Sequence, residues 1–146
     1  MGGTIDLTCG ESESKFHSVA DAVKKAKKEG VPMEKVTMSS DGQGSWSNYD
    51  AEGKLVEIGV SDVDTIYRQI VYMVKEENMD LEELLALGTK NPAMALELYP
   101  KKGAVKEESD ADILIMNEDL SLDTVIAMGV PMMRDGKILK KGTYEK

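Results

Sequence analysis

Apolar positions along this 146-residue chain keep one rhythm up to about residue 100 and a different one beyond it. The stretch Gly3-Thr4-Ile5-Asp6-Leu7-Thr8 is rich in β-branched residues and reads as a short strand. Val19, Ala22, Val23 and Ala26 then recur at i, i+3, i+4 and i+7, which predicts an amphipathic helix. Ser18 and Asp21 supply its N-terminal cap, His17 falls in the loop before it, and Gly30 ends it. Val36-Thr37-Met38 is the next strand, so residues 3 to 38 read as strand, helix, strand, the order of one right-handed βαβ unit.

Ser39-Ser40-Asp41-Gly42-Gln43-Gly44-Ser45 follows as a polar, glycine-punctuated loop at that strand's C-terminal end. Residues 49 to 60 form an excursion that turns at Asp50-Ala51-Glu52-Gly53 before Leu55-Val56-Glu57-Ile58. Val63, Ile66, Tyr67, Ile70, Val71 and Val74 keep helical spacing and make a wide apolar stripe that needs a core to face. Asp80 with Glu83 opens a further helix through Leu84, Leu85 and Leu87, closed by Gly88. Asn91 at the N-cap and Pro92 at N1 start another, which Tyr99-Pro100 stops.

After Lys101 the pattern changes to short strands: Gly103 to Val105, Ala111 to Met116, Thr124 to Met128 and Val130 to Arg134. Asp135-Gly136 ahead of Lys137-Ile138-Leu139 is a two-residue hairpin signal. The expected organisation is α/β over residues 1–100 and a small antiparallel β region over 101–146.

Composition narrows the partners. With 18 basic against 27 acidic side chains the chain carries −9, which repels phosphate backbones and anionic lipid, so neither nucleic acid nor a membrane is expected. No stretch approaches the roughly 20 apolar residues of a spanning helix, and Met1-Gly2-Gly3 does not open a signal peptide. A cytoplasmic setting is expected. The single cysteine, Cys9, excludes an internal disulfide and reads as an inert packed thiol. Lys24, Lys25, Lys27 and Lys28 lie where a helix dipole favours cations and read as a solvated face.

In parallel α/β folds the C-terminal ends of strands carry the chemistry, which singles out the loop at 39–45. Asp, Gly and Ser are also ordinary turn formers, so its composition alone favours a plain turn, and only the flanking strand and two further stretches of the chain reverse that. It lacks the Gly-Lys-Ser/Thr ending of a P-loop, which leaves a phosphate-binding role a distant alternative.

Three stretches carry a resemblance: Gly2 to Thr8, Ser39 to Ser45, and Asp110-Ala111-Asp112-Ile113-Leu114-Ile115 followed by Val125 to Gly129 and Arg134-Asp135-Gly136-Lys137. Together they resemble the end of an amidohydrolase, and the first two resemble β-aspartyl (isoaspartyl) dipeptidases more narrowly. The fold this implies is a fragment of a (β/α)8 barrel, its last two strands and helices, followed by part of a small antiparallel β-sandwich domain. The resemblance makes Asp41 a zinc ligand and the catalytic acid/base at the end of the last barrel strand. A carboxylate so placed can take a proton from the attacking water and return it to the leaving amine. Ser45 is similar to the family's substrate-binding serine, and Gly42 and Gly44 complete the substrate-binding loop by letting backbone approach closely.

The implied centre is binuclear zinc and the implied substrate a β-aspartyl dipeptide. A catalytic zinc needs about three protein ligands, yet the chain has one histidine, His17, at a place where the family pattern has none and where a surface side chain is expected. A full barrel runs to about 250 residues. The chain is therefore expected to be the C-terminal portion of such an enzyme, inactive alone, with unpaired strand edges that favour a homo-oligomer. The alternative is a non-catalytic assembly or binding module that kept this part of the fold.

Overall fold

The computed structural model describes residues 3–10 and 12–142. Gly2 of the first resembling stretch and residues 143–146 lie outside the described residues. The first strand, β1 (Ile5–Thr8), pairs in parallel with β2 (Val36–Ser39), Ile5 opposite Val36 and Thr8 opposite Ser39. Between them runs helix α1 (Glu13–Lys28), so the expected βαβ order is present. A single 3-10 turn, Met33–Lys35, delivers the chain into β2.

Side chains alternate across the parallel pair. Leu7, Cys9, Val36 and Met38 face a core that also holds Val19, Ala20 and Val23 of α1. Helices α2 (Thr65–Lys75) and α3 (Leu81–Gly88) complete that core with Ile70, Met73, Leu84 and Leu87. Helix α4 (Lys90–Ala95) packs on β2 and on the 3-10 turn.

Several elements begin or turn differently from the sequence expectation. Helix α1 is capped by Ser12, whose hydroxyl accepts from the Lys15 N–H, not by Ser18. Ser18 is inside the helix and donates to the Lys15 carbonyl, and His17 is likewise helical. The extra turn is stabilised by Phe16, which stacks on Tyr72 of α2 with ring centroids 5.5 Å apart. The lysine run is only partly a free face, because Lys24 pairs with Glu77 and Lys27 with Glu83 across to neighbouring elements.

In α2 the buried stripe is Thr65, Gln69, Ile70 and Met73, and Val63 lies before the helix, 59% exposed. The polar members explain the rotation. The Thr65 hydroxyl is directed at the Ser40 and Asp62 carbonyls, and Gln69 donates to the Phe16 carbonyl, so each occupies the interior with a partner. Asp80 caps α3 as expected, accepting from the Glu83 N–H at 2.8 Å. Asn91 is not an N-cap: Thr89 holds that position, and Asn91 is buried within α4, donating to the Met33 and Val36 carbonyls at 2.8 Å each.

The excursion after Asp41 is an antiparallel hairpin, β3 (Ser45–Tyr49) with β4 (Leu55–Val60). Trp46 lies flat across Gly59, where any Cβ would fall 2.1 Å from the ring. Gly103 to Val105 form no strand, and Val105 is 81% exposed. The last region is one four-stranded antiparallel sheet in the order β5 (Ile113–Met116), β6 (Leu122–Ala127), β7 (Val130–Arg134), β8 (Lys137–Ile138). Two left-handed pairs, Met128-Gly129 and Asp135-Gly136, turn its last three strands, the geometry of tight hairpins. Met128, expected in a strand, is in the first of these turns. Among the described residues no helix is long and apolar enough to cross a membrane.

Candidate functional site

The loop from Ser40 to Gly44 leaves the C-terminal end of β2 and is held by its own backbone. Gly44 N–H donates to the Asp41 carbonyl at 2.8 Å, closing a turn around Gly42 and Gln43. Gln43 N–H donates to Ser61, and Ser61 N–H returns a bond to Gly44, which fixes the loop against the end of β4. The Ser40 hydroxyl accepts from Gly42 N–H at 3.1 Å.

Asp41 and Gln43 adopt left-handed backbone, φ 49° and 65°, although neither is glycine. A left-handed side-chain residue costs roughly 1–2 kcal/mol, so the loop keeps these conformations only because its hydrogen bonds determine them. The glycines serve space instead. A Cβ on Gly44 would sit 2.7 Å from a carboxylate oxygen of Asp41, and one on Gly42 would sit 2.9 Å from Val63. The Asp41 carboxylate thus folds over the Gly44 backbone while staying exposed to solvent. Ser45, also exposed, opens β3 opposite Val60.

One group was not singled out by sequence. Asp6, in the middle of β1, accepts from the Thr37 hydroxyl at 2.7 Å and from the Ser39 hydroxyl at 2.6 Å. Both bonds cross to β2, and Ser39 is two residues before Asp41, so Asp6 pins the strand end from which the loop springs. The available signal was a carboxylate inside an otherwise β-branched strand, which a lone strand sequence gives no reason to pair.

The remaining singled-out residues lie elsewhere. His17 bonds the Tyr72 hydroxyl through Nδ1 at 2.7 Å, with Glu77 beyond, in the contact between α1 and α2. Cys9 is buried, and burial pushes its thiol up to about 12, which fits an inert thiol. Among the described residues no group of three or more His, Cys, Asp or Glu side chains is placed to hold a metal ion. The donors among the described residues therefore do not by themselves make up a zinc centre.

A parallel strand pair with a polar loop just beyond its C-terminal end is the place where α/β folds carry their ligand sites. Residues 2–139 match the model of the amidohydrolase family, and the chain belongs to that family, one of generally metal-dependent hydrolases. It is similar over 99% of its length to the crystal structure of a β-aspartyl dipeptidase from Fervidobacterium islandicum AW-1 in complex with a β-Asp-Leu dipeptide, at 34% identity and a TM-score of 0.80. It also resembles N-acetylglucosamine-6-phosphate deacetylase from Pasteurella multocida, at 19% identity and a TM-score of 0.60 over 79% of the chain and 34% of that protein, a likeness of fold. A dihydroorotase from Methanosphaera stadtmanae is 30% identical over 60% of this chain and 17% of its own. The chain spans 37% of the length of the Fervidobacterium dipeptidase.

Proposed function

We propose that this chain is the C-terminal part of a zinc-dependent β-aspartyl (isoaspartyl) dipeptidase, with residues 1–100 contributing the last strands and helices of a (β/α)8 barrel and 101–146 part of a small β domain. In this reading Asp41 contributes one carboxylate to the metal centre and acts as acid/base, taking the proton of the attacking water and passing it to the leaving amine. Zinc, when bound, would polarise the scissile carbonyl and lower the pKa of water. Ser45 binds the dipeptide by hydrogen bonding, and Gly42 and Gly44 keep the loop tight enough for backbone to approach it. Asp6 is a positioning residue acting through β2. The other metal ligands would come from chain outside residues 1–146, so this chain alone hydrolyses nothing and holds no stoichiometric zinc. A cytoplasmic setting and self-association through unpaired sheet edges belong to the same reading.

The observation that carries it is Asp41 at the C-terminal end of β2 in a chain 34% identical, over nearly its full length, to a β-aspartyl dipeptidase. A chimera tests it: the matching segment of the Fervidobacterium enzyme is replaced by this chain and assayed on β-Asp-Leu. Activity that disappears on Asp41→Asn is expected. A folded, zinc-loaded chimera without activity would sink the proposal. The second reading, a non-catalytic assembly module, is favoured by the lone histidine; it requires the same chimera to be inert while the chain still binds a protein partner.

A further inference from the structure

The residues on either side of Asp41 are both held by one short stretch, residues 61–65, which leads from β4 into α2. Its odd positions meet the loop in turn. The Ser61 carbonyl accepts from Gln43 N–H at 2.8 Å, and Ser61 N–H donates to the Gly44 carbonyl at 2.9 Å. Val63 lies against Gly42, where an added Cβ would fall 2.9 Å from Val63 Cγ1. The Thr65 hydroxyl faces the Ser40 carbonyl at 3.4 Å and the Asp62 carbonyl at 3.3 Å, one hydrogen shared between two acceptors. The even positions turn the other way: Asp62 and Asp64 pair with the Arg68 guanidinium at 3.6 and 3.0 Å, which ties the stretch to α2.

Thr65 is the most telling member, because it is fully buried and polar, and a buried hydroxyl needs a partner. Its contact with Asp62 is the local i−3 bond open to any helical threonine. Ser40 is 25 residues away, so that contact is made by the fold and serves the loop.

We propose that residues 61–65 are a template that sets the backbone of Asp41, with Thr65 and Val63 as positioning residues, an inference that rests on the reading of Asp41 as the acid/base. Asp41 sits at φ 49°, left-handed backbone that a residue with a Cβ leaves unless its surroundings fix it. The template grips Ser40 and Gly42, one on each side, and leaves the Asp41 carboxylate exposed. Relaxing either neighbour displaces that carboxylate from the water and the leaving amine it must serve, and a misplacement of about 1 Å can cost roughly a hundredfold in rate. Ser45 is held separately, by its place opposite Val60 in the hairpin ladder, so the template governs kcat and spares KM.

In the chimera with the Fervidobacterium enzyme, Thr65→Val is expected to lower kcat roughly ten- to a hundredfold with KM within about twofold, and Thr65→Ser, which keeps the hydroxyl, to restore most of the loss. In the chain by itself, hydrogen exchange of the Gln43 and Gly44 amides is expected to quicken at least about tenfold in Thr65→Val and in Val63→Ala, while the Cys9 amide, bonded to the Ser39 carbonyl, keeps its rate. Val63 is 59% exposed, so Val63→Ala keeps the test open should Thr65→Val not fold. A normal kcat for Thr65→Val, a defect in KM instead, no restoration by Thr65→Ser, or exchange that quickens equally at Cys9 or not at all at Gln43 and Gly44 would each overturn the proposal. An unmodified chimera without activity counts against the dipeptidase reading alone, and the exchange rates of the chain then decide the template by themselves.

Discussion

Replacing Asn91 tests how the strand leading to the candidate site is held. Its amide donates to the Met33 and Val36 carbonyls at 2.8 Å each, from a side chain only 4% exposed. Asn91→Ala removes both bonds. At a net value of roughly 0.5–1.5 kcal/mol per hydrogen bond, the loss is about 1–3 kcal/mol. At about 2–4 °C per kcal/mol for a chain of this size, that corresponds to a fall in Tm of roughly 2–12 °C, read by circular dichroism. Asn91→Asp separates bonding from packing, because its shape is unchanged but its ionised form offers no donor to two carbonyl oxygens. It should be the less stable variant at pH 7. Its introduced carboxyl would have a folded pKa above the unfolded value of about 3.9, so the defect is present at neutral pH and shrinks as pH falls through the folded pKa. An Asn91→Asp protein as stable as the unmodified chain at pH 7 would refute the bonding role of this amide.

Other expectations concern single groups. In the chimera, Asp41→Asn should lower kcat at least about a hundredfold with little change in folding, whereas Ser45→Ala should mainly raise KM. Steady-state kinetics check both, and a near-normal kcat for the first would remove Asp41 from the chemistry. Cys9, with its thiol pushed up to about 12 from an ordinary 9.0, should resist thiol reagents until the chain unfolds. Its raised value also means that stability present below pH 9 is lost as pH rises toward 12, measurable in an alkaline melting series. The Lys102 ammonium and the Met128 N–H hold the Asp112 carboxylate below its ordinary 3.8. The stability it confers is present above that value and is lost as pH falls through the lower folded one. Asp112→Asn should flatten the acid limb of Tm against pH, and only slightly, since the pair is largely exposed.

The elements legible in the sequence were those whose signal is local. Asp80 and Glu83 announce the start of α3, and Asp135-Gly136 announces a left-handed turn, because cap and turn act within a few residues. The strand, helix, strand order also survived, with the parallel pairing it implies. What failed depended on partners distant in sequence. Ser12 and Ser18 both suit a cap, and the choice was made by Phe16 meeting Tyr72 some fifty residues away. Asn91 was read as a helix cap, and Thr65 and Gln69 fall outside the apolar stripe read from the sequence, yet each is buried with a carbonyl partner that only the fold supplies. At the site, the position of Asp41 beyond β2 could be foreseen from the glycine-rich loop. The brace from Asp6 to Thr37 and Ser39 could not, because nothing in either strand specifies the register that joins them.

The buried apolar core draws on residues from Cys9 to Leu87 and takes nothing from the four-stranded sheet. That sheet is fastened to the α/β part through polar contacts such as the Tyr67 hydroxyl on the Leu120 carbonyl at 2.8 Å. A seam closed by hydrogen bonds beside a groove lined by Val60, Val125, Met133 and Ile138 is a weak link in cooperative unfolding. Two foldons of unequal strength are the consequence: amides of Ile113 to Ile138 should exchange with solvent through a shallow opening that leaves β1, β2 and the helices intact.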